Sequence, residues 1–248
     1  MSAIYILWLR QLKRFFRAKS RMIGAVGQPL LFLLALGYGL GSVYQRAGQG
    51  NYLEFLVPGI MAQTVLFSAM FYGAMIMFDK QFGFLKETLV APVARWKIML
   101  GGALGGATTA VIQGLVVLVV SLFLGFRPEH WSGIIGMLAA LCMLSVAIAA
   151  FSSGIGSFVQ DMQGFQAINQ FLVFPLYFLS GALYPLNGVP TWLRVIAEIN
   201  PMSYAVDAMR DTLIGITHFG LLRDFTVLSI TLVILIAFGA FRFKHIEA

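Results

Sequence analysis

A chain of 248 residues that is 59% apolar and only 11% charged carries more hydrophobic surface than a water-soluble domain of this length can bury. The apolar residues fall in blocks of about 20 or more, the length at which a helix crosses the ~30 Å hydrocarbon layer, so the chain's solvent is mostly lipid. The net charge of +7 needs no nucleic acid to explain it, because the cations gather in connections where anionic headgroups would meet them.

Residues 4–21 precede the first apolar block. At 100° per residue Ile4, Tyr5, Trp8, Leu9, Leu12, Phe15 and Phe16 fall on one side, and Arg10, Lys13, Arg14, Arg17 and Arg21 on the other; only Lys19 breaks the pattern. This predicts a basic amphipathic helix along the membrane interface, serving as a topology anchor or a partner contact. Spans follow near Met22 to Val43, Phe55 to Phe78, Ile98 to Phe126, Gly133 to Val159, Ile168 to Leu186 and Phe225 to Phe241. The first block is a full span with no small-residue cleavage site before it, which predicts that it is retained. Lipid satisfies no free backbone group, so the fold class is an all-α membrane protein with six transmembrane helices.

Counting Lys and Arg in the connections sets the orientation. With the N-terminus inside, twelve fall in cytoplasmic segments and five (Arg46, Arg127, Arg194, Arg210 and Arg223) outside, together all 17. Both termini are thus predicted to be cytoplasmic, at the plasma (inner) membrane. Cys142 is the only cysteine and lies mid-span, which predicts a packing role.

Between the second and third spans, residues 79–97 read DKQFGFLKETLVAPVARWK. Asp79 is placed to cap a short helix running to about Val90, and Pro92 ends it. Phe82, Phe84, Leu85, Leu89 and Val90 are many apolar residues for a wet loop, and either a partner or the membrane surface should cover them. The outer connection 187–224 predicts two short helices. Pro190 opens one, with Trp192, Val195, Ile196 and Ile199 on a face. Asn200 caps the other, with Pro201 at its first position, Met202, Val206, Met209 and Leu213 along one side, and Gly215 at its stop. They read as a lid on the membrane domain or as passive interfacial helices. The spacings Gly37/Gly41 and Gly101/Gly105 predict close helix approach.

None of the six blocks holds an Asp, Glu, Lys, Arg or His, whereas ion-coupled pumps usually carry such relays within the membrane. This disfavours a secondary transporter or channel, which stays open as the alternative, since carbonyls and hydroxyls alone can bind sodium. No GxxxxGK[ST] loop is present, so any ATP is handled by another polypeptide. His130, His218 and His245 stand too far apart in sequence for a metal motif. His218, Ser203 and Asp207 are a chance grouping rather than a triad. Phe67 and Phe71 share a face of the second span, and Phe171, Phe174 and Phe178 one of the fifth, with Gln63, Thr64 and Asn169 near them in sequence. These stripes either face lipid and neighbouring helices or line a path for an amphiphile with a large apolar body.

With these residues in place the chain resembles the type-2 permeases of ATP-binding-cassette exporters, most closely the daunorubicin-resistance group. The likeness runs over nearly the whole length, as a single domain. It rests on the basic amphipathic start, YLEFLVPGIMAQTVLF from Tyr52 to Phe67, FLKETLVAPVAR from Phe84 to Arg95, Phe174 to Leu179 with Tyr184 and Pro185, and the closing Pro190 to Arg210 ending in INPMSYAVDAMR. The resemblance implies a dimer of such chains above two nucleotide-binding ATPase subunits, which hold the ATP and Mg2+; the chain itself is implied to be neither an enzyme nor a holder of cofactors or metals. It makes residues 4–21 an elbow helix and Phe82 to Pro92 a coupling helix, whose contacts would be Phe82, Phe84, Leu85, Lys86, Glu87, Leu89, Val90 and Pro92. It makes the two outer helices a re-entrant element and places Phe67, Phe71, Phe171, Phe174 and Phe178 near a path at the dimer axis. Drugs, lipids, lipo-oligosaccharides and polysaccharides are cargoes of that family.

Overall fold

The apolar blocks do fold as helices, and the computed structural model, which describes residues 2–46 and 50–246, contains no strand among them. The helices are α1 (Ala3–Arg17), α2 (Lys19–Gly39), α3 (Gly41–Arg46), α4 (Tyr52–Gln81), α5 (Phe84–Val90) and α6 (Arg95–Phe123). A 3-10 turn at Trp131–Gly133 leads into α7 (Ile134–Phe158), followed by α8 (Met162–Phe178), α9 (Thr191–Ile199), α10 (Pro201–Ile214) and α11 (Leu221–Lys244). The side chains of Lys19, Arg21 and Met22 lie outside the description, as does Gly48 in the first outer connection.

Four helices among the described residues are long and apolar enough to cross a bilayer: Tyr52–Gln81, Arg95–Phe123, Trp131–Phe158 and Leu221–Lys244. The charged residues they carry sit in or beside their terminal turns, where a long side chain can reach polar surroundings. The other two blocks come out differently. The first gives way at Leu40, and the described part of α2 contributes the shorter apolar stretch Gly27–Gly39, with Pro29 inside it. The fifth block begins six residues early and stops at Phe178 rather than Leu186, giving a helix of 17 residues. Its last residues are apolar because they are buried by protein, not because they continue a span. Gly181 turns there at φ 74°, a left-handed conformation open to glycine, and Ser180 and Ala182 are buried. Ala182 lies so close to Gly59 of α4 that a Cβ there would meet its carbonyl at 2.3 Å.

The bundle is built around α4, in which 22 of 30 residues are buried; α11, with only four of 24 buried, faces outward. α4 lies against α6 and α7, and α7 against α11. The third-span glycines serve a neighbour the sequence did not name: Gly101 and Gly105 give α1 its seat, since Cβ atoms there would stand 2.8 Å from the Ile4 carbonyl and 2.5 Å from the Gln11 Cβ. Of the first-span pair, Gly37 touches Leu53 while Gly41 faces open space. Cys142 is exposed on α7 rather than packed.

Side-chain contacts fix which elements share an end. α1, α5, the start of α6 and residues 244–246 meet at one end, through Arg10 to Thr88 and Arg95 to the Lys244 and Ile246 carbonyls. At the other end Tyr38 donates to the Leu124 carbonyl and Tyr52 to that of Leu183, and the Glu129 amide donates to the Leu213 carbonyl. The segments sorted by charge into two groups thus do lie at opposite ends.

Candidate functional site

At the α1 end the sequence supplies an acid in an apolar helix and two bases one turn apart. Asp79 does not cap the following helix, as its position before FGFLKE had suggested. It is buried in the last turn of α4, while α5 starts after Gly83, which turns at φ 78°. Arg10 Nη2 donates to Asp79 Oδ2 at 2.7 Å and Arg14 Nη1 to Oδ1 at 3.1 Å. Arg10 Nη1 also reaches Thr88 Oγ1 of α5 at 3.5 Å. The carboxylate therefore ties α1 to α4 through charge-assisted bonds, which are stronger than neutral ones, and Arg10 carries the contact on to α5. Two arginines assigned to headgroups by periodicity are instead turned into the protein. Trp8 Nε1, donating to Thr108 Oγ1 at 3.0 Å, fixes the same helix against α6.

The segment between α4 and α6 divides cleanly. Phe82, Phe84 and Val90 are 68%, 51% and 85% exposed, and Lys86, Glu87 and Pro92 are exposed with them. Leu85 is buried inside the chain, in a small cleft with Leu7, Ile98 and Phe243, and Leu89 is partly buried against the core. A seven-residue helix is thus anchored by two leucines, leaving three large apolar groups uncovered by the chain.

Side chains from α2, α4, α6 and α8 line a half-open cavity of about 380 Å³. Gln63, Thr64 and Ser68 come from α4, Thr109 and Gln113 from α6, Asn169 from α8 and Gln28 from α2, with Phe67 and Phe71 on its apolar side. Ser68 Oγ donates to Gln113 Oε1. Gln63 Oε1 and Asn169 Oδ1 are buried with no partner among the described residues, in a region where an unsatisfied polar group costs several kcal/mol. Of the five phenylalanines singled out, the structure brings four into register. Phe67 and Phe174 meet edge to face with centroids 6.0 Å apart, Phe174 stacks on Phe178 at 6.0 Å, and Phe71 shares the cavity with Phe67. Phe171 points away and is 78% exposed. Ser68, Thr109, Gln113 and Gln28 escape sequence reading because polar residues scattered through apolar helices show a common wall only once those helices are packed.

At the far end Arg210 is counted by sequence as a loop cation, but it is buried. Its Nε donates to the Phe55 carbonyl at 3.2 Å, Nη1 to Gly181 at 3.0 Å and Nη2 to Ala182 at 2.8 Å, and Cζ lies 3.6 Å from the Phe55 ring centroid. Burial pulls the guanidinium down to about 10, so it stays protonated at neutral pH. The signal was available: a lone cation among MSYAVDAMRDTLI is a candidate for burial with partners. α10 itself is capped as its sequence dictates, Asn200 accepting from the Met202 amide, Pro201 at its first position and Gly215 at φ 66° after it. It is buried nearly all round rather than on one side, whereas α9 leaves Trp192, Val195, Ile196 and Ile199 exposed. Asp207 accepts from the backbone amides of His218 and Phe219 at 2.9 and 2.7 Å, a purely structural use of that carboxylate.

The family model for the ABC-2 type transporter matches residues 2–214. The inner membrane transport permease YadH of Escherichia coli K12 is 27% identical over 236 residues, covering 93% of this chain and 90% of its own. The daunorubicin resistance ABC transporter permease DrrB1 of Streptomyces coeruleorubidus is 25% identical over 214 residues (86% and 75%). Nodulation protein J of Rhizobium leguminosarum bv. trifolii is 26% identical over 213 residues (85% and 78%). A helical bundle with apolar spans, matched over most of its length by that model, is what such a membrane subunit requires, and the chain belongs to the ABC-2 type transporter family.

Proposed function

We propose that this chain is the membrane-spanning permease subunit of an ATP-binding-cassette exporter, a single domain of six passes with both termini in the cytoplasm of the plasma membrane. α2 and α8 make the first and fifth passes, and α1 lies along the inner interface as the elbow. Two copies assemble over two ATPase subunits, which bind ATP and Mg2+. The permease performs no covalent step; its chemistry is a change of packing biased by the nucleotide state of its partner. The 380 Å³ cavity and the Phe67, Phe71, Phe174 and Phe178 stripe are the near side of the path, suited to an amphiphilic cargo such as a drug, a lipid or a lipid-linked saccharide. Phe171, directed outward, serves the second copy or the lipid.

One observation carries this reading. Phe84 and Val90 project from a short anchored helix, with Phe82 exposed just before it and Lys86 and Glu87 beside them, at the end where α1 and residues 244–246 also lie. An exposed apolar cluster rimmed by charge is an interaction site. The test is co-purification, from membranes, of the ATP-binding-cassette ATPase subunit with wild type and Val90→Asp. Val90 is exposed, so the substitution leaves insertion and yield unchanged. It puts an unpaired carboxylate in the contact, at a cost of several kcal/mol, and docking is expected to fall at least a hundredfold. Full retention of the ATPase by Val90→Asp would refute the assignment.

The orientation is tested separately. In a Cys142→Ala background a cysteine at Asn187 is expected to react with a membrane-impermeant maleimide on intact cells, and one at Gln81 only after lysis. Labelling of Gln81→Cys in sealed cells would invert the topology.

A further inference from the structure

At the α1 end, Arg95 opens α6 and its Nη1 donates to two backbone carbonyls, Lys244 at 2.8 Å and Ile246 at 3.1 Å. These bonds hold residues 244–246 opposite α5 and leave a groove of about 720 Å³ between them. Lys86, Leu89 and Val90 form one wall; Lys244, His245 and Ile246 form the other, with Arg95 joining them. No carboxylate lines it among the described residues, and Glu87 of α5 stays outside the lining. Arg10 and Arg14 of the same end are paired with Asp79 instead. The described lining of the groove thus sets Lys86 and Lys244 on facing walls, with Arg95 between them and Leu89, Val90 and Ile246 as its apolar part.

We infer that this groove is a second docking surface for the ATPase subunit, in which residues 244–246 and Lys86 together receive an acidic, partly apolar segment of that partner. This rests on the permease reading above and adds to α5 a second contact, built by the far end of the chain. Charge complementarity selects the occupant. Cations on facing walls, with no acid between them among the described residues, attract a carboxylate-bearing segment and repel a basic one. Val90, at 85% exposure, then supplies the apolar contact that a hydrated headgroup would leave uncovered. The Arg95 bonds give the second wall its position, so Arg95 acts through the backbone of residues 244–246.

The experiment measures binding of the purified ATPase to the full chain in nanodiscs of zwitterionic lipid, at low and high salt. The variants are Lys244→Glu, Lys86→Glu/Lys244→Glu, Arg95→Gln and Val90→Asp. Reversing Lys244 is expected to weaken binding about tenfold at low ionic strength, the double reversal more, with most of the difference lost in about 0.5 M salt, where screening acts within a few ångströms. Arg95→Gln, with both lysines intact, should weaken binding by a comparable factor because the second wall is no longer held. Melting curves of each variant report whether the bundle is intact. If the reversals bind the ATPase as wild type does while Val90→Asp fails, the groove proposal is overturned and the α5 docking stands. If Val90→Asp also binds normally, the permease assignment of α5 falls with it. If the reversals change only binding to vesicles of anionic lipid, the groove is a headgroup site and the proposal is again overturned.

Discussion

Replacing Arg210 by Met is expected to lower the stability of the folded bundle by several kcal/mol. The side chain stands between α4 and the segment that folds back after α8, donating to the Phe55, Gly181 and Ala182 carbonyls while lying on the Phe55 ring. Methionine fills much of the volume but offers no donor. Three buried carbonyls then lose their partner, each at about 1–3 kcal/mol when no water replaces it. Part of this is offset because a buried cation no longer has to be desolvated. Arg210→Lys keeps the charge but lacks the planar fork that spans three acceptors, so it should recover only part of the loss. The measurement is thermal unfolding of the detergent-purified protein, together with maleimide reactivity of a cysteine at Ala182, which is fully buried in the wild type. A melting point for Arg210→Met within a degree of wild type, with Ala182→Cys still protected, would show that the clamp does not hold this segment.

Asp79→Asn is the second large effect, and it separates stability from coupling. The variant keeps the shape of the side chain and removes the charge that holds Arg10 and Arg14. Asp79 is 12% exposed and each arginine 36%, so solvent screens part of the attraction. A loss of about 1–3 kcal/mol is the reasonable range between surface and fully buried pairs. The functional loss should exceed what that suggests, because Arg10 also contacts Thr88 of α5 and the same carboxylate carries the link from α5 to α4. Substrate-stimulated ATP turnover of the assembled transporter should drop severalfold under conditions where Asp79→Asn remains folded and keeps its partner. A charge exchange, Asp79→Arg with Arg10→Asp and Arg14→Asp, should restore part of it. Turnover equal to wild type in Asp79→Asn would remove this link from the coupling route.

Both predictions concern residues that a linear reading places elsewhere, and the reason is the same. Asp79 lies 69 and 65 positions from the arginines it binds, and Arg210 lies 155 from Phe55. A local pattern of apolar and charged residues reports the face a helix turns away from water. It does not say whether a charge on the other face meets headgroups or an opposite charge from a distant helix. Lipid, too, leaves apolar runs ambiguous. Leu179 to Leu186 looks like the end of a span, yet Gly181 turns it back onto α4, where protein rather than lipid covers it.

What the sequence determines by itself is what depends on neighbours within a few positions. The helical character of the apolar blocks follows from the need to close backbone hydrogen bonds in lipid. The limits of α10 follow from Asn200, Pro201 and Gly215, and the end of α5 at Val90 from the nearby Pro92. The family resemblance also lives there, in runs of adjacent residues. Tertiary structure decides everything that needs two distant segments at once. It gathers Gln63, Gln113 and Asn169 into one cavity, seats α1 on Gly101 and Gly105, turns Leu85 inward while leaving Val90 out, and brings residues 244–246 to Arg95. In each case the deciding term is the desolvation of a polar group or the close approach of two backbones, and neither has a value until the partner helix is in place.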